Sequence, residues 1–108
     1  MKIIDITKTI TSDELLAHLT RNLNTLFREQ RKMAIDFRIE NINGAVEITQ
    51  PEMYEGFLFR IGIHGHELWI TRSEHYVDDV NSLTIESILY ELFNDLSDKQ
   101  GAELVLEG

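Results

Sequence analysis

The chain has 108 residues, 43% apolar and 27% charged, the proportions of one ordinary globular domain with a core of its own. It contains no cysteine, which excludes disulfides, thiolate metal sites and a cysteine nucleophile. The net charge of −9 is uneven: residues 1–38 hold seven Lys/Arg and five Asp/Glu, residues 39–108 three and fourteen. Such a field repels nucleic acid and acidic membranes and draws in basic partners.

Met1-Lys2-Ile3-Ile4-Asp5 carries no long apolar stretch, and no apolar run approaches the ~18 residues of a membrane span. Neither a signal peptide nor a transmembrane helix is expected, and with no cysteine the expected compartment is the cytoplasm. One proline, no low-complexity tract and no internal repeat leave residues 1–108 as a single domain. Isoleucines at 3, 4 and 6 make Lys2–Thr7 a short strand. Thr11-Ser12-Asp13-Glu14 then forms a capping box, with Ile10 and Leu15 placed as a hydrophobic staple across it. Leu15, Leu16, Leu19, Leu23, Leu26 and Phe27 recur at helical spacing behind it. Arg28, Arg31 and Lys32 close this first helix, where the helix dipole favours cations, rather than forming a phosphate site.

From Met33 to Arg72 the pattern switches to period two. Met33, Ile35, Phe37 and Ile39 point one way, and Asn43-Gly44 turns the chain into Ala45–Gln50. That turn sets Ile39 opposite Ile48 inside and Glu40 opposite Glu47 outside, like charges face to face. After Pro51, Phe57, Phe59, Ile61 and Ile63 mark the next strand. A two-residue turn at His64-Gly65 leads to Glu67–Arg72, pairing Phe59 with Ile70 and Ile61 with Leu68 inside. Outside, the same turn places Leu58 opposite Thr71 and Arg60 opposite Trp69, as a cation–π pair.

Ser73–Leu83 reads as a polar loop. Ile85, Ile88, Leu89, Leu92, Phe93 and Leu96 mark a second helix, ended by Gly101 at its C′ position, with Glu86, Glu91, Asp95 and Asp98 on its other face. Ala102–Glu107 closes the chain as a short strand. The expected fold is α+β: an antiparallel four-stranded meander, two amphipathic helices packed on one face, and short terminal strands.

His64-Gly65-His66-Glu67 is the one metal-like grouping, with His75 and Glu74 as distant helpers; it is expected to be a solvated turn without metal. Asp78-Asp79 is expected to be a solvated loop pair. No nucleophile elbow, phosphate loop or dinucleotide fingerprint occurs. The chain is therefore expected to have no catalytic residues, to need no cofactor, and not to be an enzyme. The leading reading is a small acidic protein that binds, and inhibits or chaperones, a basic protein, such as a nucleic-acid-handling one. Phage and mobile-element inhibitors share this size and charge. It would not contact nucleic acid or membrane itself. Its contact residues would be Leu58, Arg60 and Trp69 with Glu40 and Glu47 on the outer sheet face, and Glu86, Glu91 and Asp95 on the second helix. The alternative is a homodimeric accessory domain packing through Trp69, Leu58 and Tyr54; a third is metal-dependent activity at His64, His66 and His75.

Overall fold

A computed structural model describes residues 1–96 and 103–106. The element order is β1 (Lys2–Asp5), α1 (Ser12–Arg31), β2 (Arg38–Ile42), β3 (Ala45–Thr49), β4 (Phe57–His64), β5 (Glu67–Arg72), a single 3₁₀ turn (Glu74–Tyr76), α2 (Val80–Leu96) and β6 (Glu103–Leu106). The α+β class is as expected. The sheet is larger than the meander: the terminal strands join it, in the order β2-β3-β4-β5-β1-β6 with every neighbouring pair antiparallel. The closing strand pairs with β1 and forms one edge.

α1 begins as its sequence dictates. The Thr11 hydroxyl accepts from the Glu14 amide at 3.1 Å, and the Glu14 carboxylate accepts from the Thr11 amide at 3.0 Å. Leu15, Leu19, Leu23 and Phe27 are buried along one stripe. Lys32 ends the helix in the left-handed region at φ 56°, its amide donating to the Arg28 carbonyl.

Three expectations need correction here. Residues 33–37 are not strand, because Asn24 on α1 takes both backbone groups of Phe37, donating to its carbonyl at 3.0 Å and accepting from its amide at 2.8 Å. This segment is thereby fixed to the helix, leaving Met33 exposed and Phe37 in the core. The loop after β5 is also shorter than expected, and α2 starts at Val80. Asp79 accepts from the Ser82 amide at 2.9 Å, so it acts as a helix cap rather than half of a solvated pair. Finally, the β4–β5 turn is Gly65-His66, with Gly65 at φ +62° as the first central residue of a two-residue hairpin demands. Gly101 and Asp98 lie outside the described residues.

One core unites the layers. Ile4, Val46, Ile48, Phe59, Ile61, Leu68 and Ile70 from alternate strand positions meet Leu15, Leu19, Leu23 and Phe27 of α1 and Ile85, Ile88, Leu89, Leu92 and Phe93 of α2. The helices therefore cover one face of the sheet. Among the described residues no helix is long and apolar enough to cross a membrane.

Candidate functional site

The opposite face holds Arg38 and Glu40 from β2, Glu47 from β3, Arg60, Gly62 and His64 from β4, Glu67, Trp69 and Thr71 from β5, and Ile3 and Asp5 from β1. The register that puts them together differs from the expected one by two. Arg60 stands opposite Thr71, Gly62 opposite Trp69, and His64 opposite Glu67. Moving the turn by one residue shifts each partner by two, so both faces keep their membership while the neighbours change.

Those changed neighbours set the chemistry. Arg60 does not lie over Trp69; its guanidinium donates to Glu47 Oε2 at 3.0 Å, completing an opposed pair of β3 and β4. The face of Trp69 is taken by His64, with ring centroids 4.1 Å apart and planes 34° from parallel. The indole Nε1–H donates to Glu67 Oε1 at 3.0 Å. Gly62 eases this arrangement: a Cβ there would lie 3.3 Å from His64 Nε2, a tight contact that the bare backbone avoids as the imidazole leans along the strand. An open hollow of about 350 Å³ results, lined by Ala45, Arg60, Gly62, His64, Trp69 and Thr71 among others. Thr71 also lines a wider hollow of about 820 Å³ at the far end of the hairpin, beside Glu55, Phe57, Glu74, His75 and Tyr76.

The expected contact residues divide. Trp69, Glu47 and Arg60 are half-buried on the helix-free side, and Glu40 is exposed. Leu58 does not belong with them: it is fully buried. A bulge explains the reversal. Ile48 pairs with Phe59 but Thr49 pairs with Phe57, so Leu58 is the extra residue of β4 and joins the core cluster beside Phe59. Tyr54 is 8% exposed, which leaves Trp69 as the one accessible member of the expected dimer contact.

Glu86 is likewise a structural residue rather than free acidic surface. Its carboxylate accepts from Lys2 at 3.2 Å, Arg72 at 3.3 Å and the Tyr90 hydroxyl at 3.3 Å, tying α2 to β1 and β5. Burial pushes the Tyr90 hydroxyl above its ordinary value. Lys2 is raised by hydrogen bonding to Tyr90 and to Glu86, against the burial that lowers it. Glu91 is exposed. The side chain of Asp95 lies outside the described residues.

The three histidines are not brought together. His66 occupies the exposed turn instead of sharing a strand face with His64, and His75 follows the other end of β5. Among the described residues no group of three or more His, Asp or Glu is arranged to hold a metal. The His64–Trp69 stack went unread in the sequence, although its signal was present: a glycine inside a strand marks close approach, and Gly62 is that glycine.

No family model, curated protein or solved structure matches the chain.

Proposed function

We propose that this is a non-enzymatic protein-binding domain, contacting a basic partner protein through the helix-free face of its sheet. The observation that carries the reading is Trp69, half-buried on an uncovered face, held by His64 and Glu67 beside a hollow floored by glycine. An indole fixed in place adds contact area at little entropic cost, which is how interface anchors act. Glu40, Glu47, Glu67 and Asp5 share that face with Arg38 and Arg60, so its charge leans towards a basic partner, as does the net charge of −9. The proposed setting is the cytoplasm, and occupation of a nucleic-acid-handling protein's positive channel is the form of inhibition that the charge favours.

The test is a pull-down from the native host with parent and Trp69→Ala proteins, the captured proteins being identified by mass spectrometry. A basic protein captured by the parent and lost with Trp69→Ala, at unchanged melting temperature, is the expected result. Equal capture by both proteins would reject the sheet face as the contact.

A further inference from the structure

Seven large apolar side chains are exposed among the described residues, and five of them belong to one end of the molecule. Val77, Val80 and Leu83 follow one another at intervals of three, 38%, 55% and 45% exposed, across the start of α2. Met33 and Met53 sit in segments tied to that same turn. Arg31 donates to Asn81 Oδ1 at 3.3 Å and approaches the Met33 sulfur at 4.0 Å. Tyr54, beside Met53, donates to Asp79 Oδ2 at 2.9 Å and accepts from Asn81 Nδ2 at 3.1 Å. Single exposed apolar residues need no explanation, but a group of them does.

The frame beneath the group is well tied. Asp79 caps α2, the rings of Tyr54 and Tyr76 meet edge to face at 4.9 Å, and the Tyr76 hydroxyl accepts from the Glu55 amide at 2.7 Å. A surface fixed in this way loses little freedom when covered. Its rim selects the occupant. Glu52, Glu55, Glu74 and Asp78 are all exposed around it, four carboxylates against the cations Arg31 and Lys32 on the α1 side, so the rim stays acidic on balance. A second copy would have to bring two chains of net charge −9 together against their repulsion. A basic occupant gains from the same field.

We infer that this end of the molecule docks an amphipathic basic helix of a partner protein, its apolar side chains on Val77, Val80 and Leu83 and its cations on the acidic rim. The surface belongs to the helix layer and stands apart from the sheet-face contact proposed above.

The test uses the intact chain with two synthetic amphipathic helices, one of leucine and lysine, the other of leucine and glutamate. The lysine peptide should bind, with amide chemical-shift changes centred on residues 77–83 and 52–55, and the glutamate peptide should not. The double substitution Val80→Ser, Leu83→Ser should weaken binding roughly tenfold or more, whereas Trp69→Ala should leave it unchanged. Should the serine variant lose stability, Glu74→Lys with Asp78→Lys supplies a second variant, expected to weaken the lysine peptide in the same way. The inference is overturned if the lysine peptide does not bind, if both peptides bind alike, or if shifts fall on the outer sheet face. Self-association abolished by the serine substitutions would also overturn it, by assigning the patch to a second copy.

Discussion

The two faces of this sheet are built from the same strands and hold together by different physics. On the inner face Ile4, Val46, Ile48, Phe59, Ile61, Leu68 and Ile70 are each no more than 2% exposed. Their contribution is non-directional, about 25 cal/mol per Å² of apolar surface removed from water, and it accumulates across both helices. On the outer face, one residue further along each strand, the contacts are pairs: Arg60 with Glu47, Trp69 with Glu67, and His64 on Trp69. The two that cross between strands, Arg60 with Glu47 and His64 with Trp69, contribute roughly 0.2–1 kcal/mol apiece. The outer face can therefore change its side chains at little cost to the fold. That is the freedom a binding surface requires.

The largest expected effect sets neighbours on opposite faces against each other. Phe59→Ala should cost about 3–5 kcal/mol in urea unfolding, whereas Arg60→Ala should stay within about 1 kcal/mol. Equal losses at the two positions would break the distinction. Leu58 sharpens it, because strict alternation assigns it to the outer face and the bulge assigns it to the core. Leu58→Ala should cost about 2–5 kcal/mol, like any buried leucine. A loss below about 1 kcal/mol would show that the bulge does not turn this side chain inward.

The same contrast explains what could be read from the sequence. Burial face follows from period-two and helical patterns, and Leu19, Leu23, Ile61, Leu89 and Phe93 are buried as those patterns demand; Phe37 is buried as well, but in a segment that Asn24 holds to the helix and not in a strand. Asn43-Gly44 also sets the β2–β3 register as read, with Asn43 at φ 52° and Gly44 at φ 86°, because that dipeptide suits one turn type. His64-Gly65-His66 admits two placements of a two-residue turn, and nothing local chooses between them. The outer neighbours depend on that choice, so the site was misread where the core was not. Leu58 departs from alternation for a related reason, since a bulge depends on a partner distant in the chain, here Thr49; the Asp79 cap is by contrast local, resting on the Ser82 amide three residues on.

Glu86 lies at the margin between helices and sheet, and its effect should be intermediate. Glu86→Ala leaves Lys2 and Arg72 without their shared acceptor, but both remain about a third exposed and can turn to water. A loss of about 1–2 kcal/mol is expected by denaturant titration. Alkali should act on this cluster and on Tyr54 beside Asp79. Lys2, Tyr54 and Tyr90 all hold their protons more tightly in the fold than their ordinary values of 10.5 for lysine and 10.0 for tyrosine. The folded state therefore binds more protons than the unfolded chain at high pH, so the stability these three groups contribute is fully present below about pH 10 and is lost as pH rises beyond it. Calorimetry between neutral pH and pH 11 tests the sign. A melting temperature that rises across that window would contradict it.

The smallest expected effect on stability falls at Gly62 and is the most informative about the outer face. Its φ is not in the left-handed region, so Gly62→Ala introduces no backbone strain there and removes freedom from the unfolded chain, worth about 0.4–1 kcal/mol. Against that gain, the new methyl would sit 3.3 Å from His64 Nε2 and press the imidazole away from the indole. The two effects are similar in size and opposite in sign, so the melting temperature should barely move. Tryptophan emission should move, because Trp69 is the chain's one tryptophan and its stacking partner shifts. In a His64→Ala background the same Gly62→Ala substitution should leave emission unchanged, which separates loss of the stack from any general disturbance of the strand. A destabilisation of several kcal/mol would mean that Gly62 is packed as tightly as its inner-face neighbour Ile61. The outer face would then be a second core, and Trp69 would be anchoring the fold rather than serving the contact proposed for it.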